Sequence, residues 1–136
     1  MRMLYQGVNA RDLRGSTVAD YLVNIEAHFE VVDEGEVIYS ELDFPVAELA
    51  RELTLWISVG ESDASDFSFS SISFEEPGAV VISRSPDGWE VGSMFTPTVK
   101  SEPIDWPTLS VSVEEFVARV QRDIAGMGID PSFIRP

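Results

Sequence analysis

Hydrophobic and polar residues alternate along an early stretch of the chain, and this alternation predicts a β-strand over residues 20–32. A period of two is typical of an antiparallel strand with one buried face. The turn Asp33-Glu34-Gly35 and a shorter alternation over residues 36–41 predict a return strand, so the two strands form a hairpin. Residues 1–17 are polar and irregular, and we predict no regular element there.

Helical spacing replaces the alternation after the hairpin. Pro45 suits a first helical turn, because the N–H that proline lacks would have no partner there, and Gly60 suits a stop. Between them, apolar residues recur every three or four positions: Val46, Leu49, Ala50, Leu53, Trp56 and Ile57. A second helix is predicted from Ser112, which forms an S-x-x-E capping box with Glu115 and precedes a stop at Gly126 or Gly128.

Three short strands in a meander are predicted between the helices, over residues 67–74, 79–84 and 89–95. The turns Glu76-Pro77-Gly78 and Ser85-Pro86-Asp87-Gly88 separate them. The large apolar residues of the first strand change parity, which indicates a bulge near Ser70. Residues 98–100 are a candidate edge strand, and residues 129–136 are either an ordered wrap or a frayed tail.

The order β-β-α-β-β-β-α follows from these elements. Tight turns pair the strands antiparallel, and two helices with apolar stripes must cover a sheet. The predicted fold is α+β: one antiparallel sheet of five or six strands with both helices on one face. At 136 residues, the chain is expected to be a single domain, residues 1–136.

The charge of the chain is strongly uneven. Residues 15–83 contain 15 acidic side chains and one base, Arg51, out of a net charge of −15 for the whole chain. Such an excess disfavours nucleic acid and anionic membrane surfaces and favours a basic partner. The sequence has no Cys, no long apolar run and no apolar leader at its start, so we expect a cytoplasmic protein without disulfides or thiolate metal sites.

No catalytic, cofactor or metal motif is found. His28, the one histidine, lies between Glu26 and Glu30 on the polar face of the first predicted strand, and a solvated face is favoured over a catalytic pair. Asp63 and Asp66 lack the rest of a calcium loop, and no glycine pattern matches a phosphate-binding loop. We therefore expect no enzyme activity and no cofactor, and name no catalytic or metal-binding residue.

Candidate partner-binding residues lie on two acidic loops and at one aromatic position. The loop 60–66 and the turn after residue 74 carry the acids, and Trp106 sits between Asp105 and Pro107 in a long connection. Trp106 either pins that connection to the core or anchors an interface. The candidate set is Glu61, Asp63, Asp66, Glu75, Glu76 and Trp106.

Three stretches carry a resemblance to known proteins: residues 39–50, residues 66–75 and residues 88–93. They resemble a group of small acidic actinobacterial proteins without an assigned activity, over about residues 17–130. In size, acidity and order of elements, the chain is also similar to immunity proteins of polymorphic-toxin and contact-dependent inhibition systems. Neither resemblance supplies a catalytic motif, so neither implies a residue's role.

These observations favour an acidic binding protein that neutralises a basic partner, such as a toxin domain with nuclease activity. A nuclease surface is cationic because it holds phosphates, and an acidic protein can imitate that substrate. Two alternatives stay open at this point. One is a small hydrolase or ligand-binding domain with a pocket between sheet and helices, and the other is a non-catalytic accessory subunit.

Overall fold

Six strands form two separate antiparallel sheets in the computed structural model, which describes residues 1–135. Sheet A has the order β1-β2-β3 and sheet B has the order β4-β5-β6. The α+β class is confirmed, but the prediction of one sheet of five or six strands is wrong. The strands are β1 (Arg2–Asn9), β2 (Glu26–Asp33), β3 (Glu36–Phe44), β4 (Phe67–Ser68), β5 (Val81–Ser85) and β6 (Gly88–Gly92).

Three α-helices accompany the sheets: α1 (Val18–Asn24), α2 (Val46–Ile57) and α3 (Trp106–Gly126). A short 3₁₀ turn at Glu61–Asp63 comes after α2, and another at Pro131–Phe133 comes after α3. The prediction of α2 is confirmed. Within residues 1–135, none of the helices combines the length and the apolar character needed to cross a membrane.

Residues 20–24 are helical, so the prediction of a strand that begins at residue 20 is wrong. Thr17 caps α1: its Oγ1 accepts a hydrogen bond from the Asp20 N–H, and Asp20 Oδ2 accepts one from the Thr17 N–H, each at 3.1 Å. This reciprocal capping box satisfies the free donors of the first turn. The strand begins only at Glu26, and from there the predicted alternation of buried and half-buried residues is observed.

The second correction concerns residues 1–17, which are not irregular throughout. β1 pairs with β2, and its alternate residues Met3 and Tyr5 are buried in the core. β2 is therefore the central strand of sheet A. Its polar side chains are half-buried between β1 and β3, and His28 Nε2 lies 2.8 Å from Ser40 Oγ on β3.

The third correction concerns the strand predicted over residues 67–74. Only Phe67 and Ser68 form β4, and Phe69 makes one further ladder bond, from its N–H to Val80 O at 2.8 Å. The chain then turns, because the Ser71 hydroxyl accepts the Ser73 N–H at 3.0 Å. A serine side chain that bonds nearby backbone competes with a sheet ladder, so the change of parity marks a turn and not a bulge.

The fourth correction concerns the start of α3. Asp105, not Ser112, is the N-cap, and its carboxylate accepts the Thr108 N–H at 2.9 Å. Pro107 fits within the first turn, where a missing N–H costs nothing. After α3, the chain is an ordered wrap through residue 135 with Phe133 and Ile134 buried, and Pro136 lies outside the described residues.

Aromatic residues join the two sheets and the helices into one core. Phe44 at the end of β3 stacks on Phe29 of β2, with ring centroids 4.5 Å apart, and also contacts Phe69 beyond β4 at 5.6 Å. On the other side, Trp56 of α2 contacts Phe67 of β4 at 5.6 Å. Sheet B is thereby attached by its inner face, which leaves its outer face open.

Candidate functional site

A cleft of about 750 Å³ lies over the outer face of sheet B. Ser68, Val81 and Gly92 are neighbours across the three strands, and Lys100 is bridged to Gly92 from the following loop. Residues that pair side by side in antiparallel strands project from the same face. Ser68, Val81 and Lys100 of this row line the cleft.

Two turns form one wall of the cleft. Gly78 has φ of 96° and its N–H bonds to Phe69 O, while Met94 N–H bonds to Gly78 O, both at 2.8 Å. A Cβ built on Gly78 would lie 2.6 Å from Met94 Cγ, so the Met94 side chain needs a glycine beneath it. Met94 and Phe95 are neighbouring large apolar side chains that are 60% and 41% exposed.

Two of the candidate carboxylates line this cleft. They are Asp66 and Glu76, with nine residues between them in the sequence. Asp66 is fixed at its place because its Oδ1 accepts the Arg84 N–H at 3.0 Å. Lys100, the one lysine of the chain, is the one base among the lining residues. The cleft therefore combines exposed apolar surface with acidic side chains.

Glu61 and Trp106 belong instead to a cluster of three tryptophans. Trp89 packs against Trp56 and Trp106, with centroid distances of 5.6 Å and 5.3 Å, and it is 1% exposed. Its Nε1 donates a hydrogen bond to Glu61 Oε2 at 2.9 Å. Trp106 is half-buried as the first residue of α3, so it pins the preceding connection to the core. Glu61 likewise holds the 3₁₀ turn in place.

Asp63 and Glu75, the remaining candidates, are exposed on the segments that lead into the cleft. In the part of the chain that the structure describes, neither takes part in an ion pair. They extend the acidic surface beyond the cleft without forming part of its lining.

Sequence reasoning missed Met94, Phe95 and Lys100. The strand predicted over residues 89–95 ends early: β6 stops at Gly92, and Phe95 lies beyond it with 41% of its surface exposed. The Ser93 hydroxyl accepts the Phe95 N–H at 3.1 Å and turns the chain there. The signal available in the sequence was Thr96-Pro97 directly after two large apolar residues, since proline disfavours continuation of a ladder.

A buried carboxylate supports the wall that carries Glu76. Glu48 of α2 is 8% exposed, and its Oε1 accepts the Ser71 hydroxyl at 2.5 Å. Burial raises the pKa of Glu48 above its usual range, opposed by the hydrogen bond from Ser71, and Glu52 nearby raises it further. The same Ser71 hydroxyl shapes the turn that leads to Glu76.

Stability should therefore depend on pH through Glu48. The pKa of Glu48 is raised on folding, so the folded state holds the proton more tightly than the unfolded state does. The protonated side chain therefore contributes to the free energy of unfolding at pH below about 4.5, and this contribution is lost as pH rises through the folded pKa. Glu48→Gln keeps an oxygen acceptor for Ser71 without the charge. We expect it to gain stability relative to the wild type at pH 7, with a smaller gain at pH 5, in urea denaturation. Exposed Glu34→Gln is the control, and an equal gain at both pH values would contradict the assignment.

No group of three His, Asp or Glu side chains converges to hold a metal ion within residues 1–135. The two buried carboxylates of this part of the chain, Asp33 and Glu48, are engaged separately, Asp33 with the Glu102 N–H at 2.8 Å and Glu48 with Ser71.

Comparison of the sequence with family models matches residues 2–126 to a domain of unknown function, DUF7878. The chain belongs to the DUF7878 family. The match runs from the first residue of β1 to the last residue of α3, so the DUF7878 domain includes both sheets, the three helices and every residue of the cleft. Neither the curated proteins nor the solved structures contain a match to the chain.

Proposed function

We propose that this chain is a non-catalytic cytosolic binding protein whose cleft docks a basic protein partner. The observation that carries the proposal is the placement of exposed Met94 and Phe95 beside the carboxylates of Asp66 and Glu76. Protein interfaces commonly combine a small apolar centre with a polar rim, and a few aromatic or Met side chains supply most of the affinity.

Charge decides which class of partner fits. Residues 60–76 contain five acidic side chains and no base. Three of the acids precede β4 in the sequence and two follow it, and one from each side, Asp66 and Glu76, lines the cleft. Opposed charges accelerate encounter between proteins and reject partners of like charge. A basic partner therefore gains both speed and selectivity, while nucleic acid and other acidic proteins are repelled.

The most concrete partner is a toxin domain with a cationic, phosphate-binding surface, which makes the chain an immunity protein. Such a role demands rapid capture, and electrostatic steering brings association rates to about 10⁸ M⁻¹s⁻¹ at low salt. The exposed apolar pair then holds the complex after encounter. The carboxylates of the cleft thus govern the association rate, and the exposed apolar pair governs the dissociation rate.

The test separates these two roles by kinetics. Asp66→Asn with Glu76→Gln removes two charges, and the asparagine keeps an oxygen for the Arg84 N–H. We expect association to slow by about tenfold at low ionic strength, with little change in dissociation. Phe95→Ala should do the reverse and speed dissociation. The measurement is surface plasmon resonance against the basic protein retained from host lysate by the wild type.

Asp12→Asn with Glu36→Gln is the matched control, because both residues are exposed and lie outside sheet B. It should leave both rates nearly unchanged. Equal slowing by the control variant would show that only total charge matters and would remove the cleft from the proposal. A retained protein that is acidic, or that binds the Phe95→Ala variant with unchanged dissociation, would also contradict it.

A further inference from the structure

Three arginine side chains line a second cavity, an open groove of about 380 Å³ between β1 and the flank of α3. Arg2 comes from β1, and Arg119 and Arg122 come from α3. Glu115 is the one carboxylate among the lining residues. The charge of the groove is therefore opposite to that of a chain with net charge −15.

Two of these arginines form no ion pair among the residues that the structure describes. Within residues 1–135, neither Arg2 nor Arg122 forms an ion pair, although the chain has 24 acidic side chains. Pairing on this helix is feasible, because Arg135 bonds Glu114 of α3. Like charges that converge without neutralisation repel one another. The arrangement becomes favourable when an anion occupies the groove.

The third arginine is held in position by the protein. The Arg119 guanidinium lies 3.9 Å from the centre of the Tyr5 ring, and its Nε is 3.8 Å from Asp123 Oδ2. Asp123 is itself bound by the Tyr5 hydroxyl at 2.5 Å. Burial raises the pKa of Tyr5, so this phenol keeps its proton and donates. The terminal nitrogens of Arg119 remain available to a ligand.

We propose that this groove binds a small molecule that carries a phosphate group. Guanidinium groups match the oxygen geometry of phosphate through paired hydrogen bonds. The volume lies within the range of about 300–1,000 Å³ that is usual for small-molecule sites. Glu115 accepts a hydrogen bond from a ligand hydroxyl, which favours a hydroxylated phosphate ester over a bare anion. The site shares no residue with the docking cleft and does not depend on it.

The test is calorimetric titration of the full chain with glycerol 3-phosphate and with pyrophosphate at low ionic strength. We expect saturable binding of the ester, weakened about tenfold or more in Arg2→Gln and in Arg122→Gln, because a hydrogen bond to a charged group is lost. Both residues are exposed and make no ion pair within the described part of the chain, so the variants should keep the wild-type melting temperature. Arg14→Gln, with the same change of charge in the loop before α1, should bind as the wild type does.

Glu115→Gln separates the roles of charge and hydroxyl recognition. It should tighten pyrophosphate more than glycerol 3-phosphate, because the repulsion is removed for both ligands but the hydroxyl loses its best acceptor. Three results would overturn the proposal: no saturable binding, equal weakening by Arg14→Gln, or displacement of the ester by a single-stranded oligonucleotide at lower concentration than by pyrophosphate. The last result would replace the small molecule with nucleic acid.

Discussion

Replacement of Trp89 by alanine is expected to lower the free energy of unfolding by about 3–5 kcal/mol, a large share of the roughly 5–15 kcal/mol that stabilises a typical domain. Trp89 is 1% exposed and packs against Trp56 and Trp106. The Arg84 guanidinium also lies 4.6 Å from the centre of its ring. The substitution removes apolar area and leaves a cavity that the surrounding side chains cannot fill. Urea denaturation followed by circular dichroism measures the loss.

Trp89→Phe is the matched variant for the hydrogen bond to Glu61. Phenylalanine keeps most of the buried ring but cannot donate to Glu61 Oε2, so the cost should be smaller than for alanine. Hydrogen exchange should then increase in the turn Glu61–Asp63 more than in sheet A. If Trp89→Ala costs less than about 1 kcal/mol, Trp89 is not the centre of this cluster.

Replacement of Phe44 by alanine is expected to cost a similar amount, about 3–5 kcal/mol. Phe44 is fully buried and stacks on Phe29, and its ring also contacts Phe69 and Phe74 at 5.6 Å and 5.7 Å. These contacts connect sheet A to the segment that leads into the cleft wall. The midpoint of urea denaturation should fall, and hydrogen exchange should rise over residues 69–78.

Leu42→Ala is the control for Phe44→Ala, because Leu42 lies two residues earlier on β3 and is 68% exposed. Its cost should stay within about 0.5 kcal/mol. Similar costs for the two variants would mean that burial at the end of β3 does not govern stability. A large cost for Phe44→Ala without increased exchange in residues 69–78 would separate the core of sheet A from the cleft.

The two proposed sites carry opposite charges and can be tested independently. The cleft on sheet B has Asp66 and Glu76 in its lining, and the groove beside β1 has Arg2, Arg119 and Arg122. Removal of the cleft carboxylates should leave binding of the phosphate ester unchanged, and Arg122→Gln should leave partner association unchanged at physiological salt, where screening acts over about 8 Å. Failure of one proposal therefore leaves the other standing.

Local sequence patterns predicted the helices and strands in which the spacing of apolar residues fits only one kind of element. The apolar stripe of α2 can be buried only by a helix, and the alternation over β2 can be buried only by a strand, so both were predicted from the sequence. The alternation over residues 20–24 did not distinguish a strand from a helix, because it extends over only five residues. There the capping box of Thr17 and Asp20 outweighed the period of two.

Charge distribution along the chain also predicted the acidic segments that border the cleft. Asp66 and Glu76 were named from sequence, and both line the cleft. Glu61 was named for its charge and Trp106 as an aromatic in a long connection, but both side chains are engaged by Trp89 and its neighbours, which no local pattern reveals. Exposure depends on what packs from elsewhere in the chain, and a sequence window contains only its own residues.

Tertiary structure alone decided the two cavities. The cleft joins β4, β5, the end of β6 and the turns around Gly78 and Met94, and the groove joins the first strand to the last helix. Arg2 and Arg119 are more than a hundred residues apart, and only the packing of α3 on β1 brings them together. The physical reason is that hydrophobic burial specifies each element's face locally, whereas which faces and edges remain open depends on how all the elements pack.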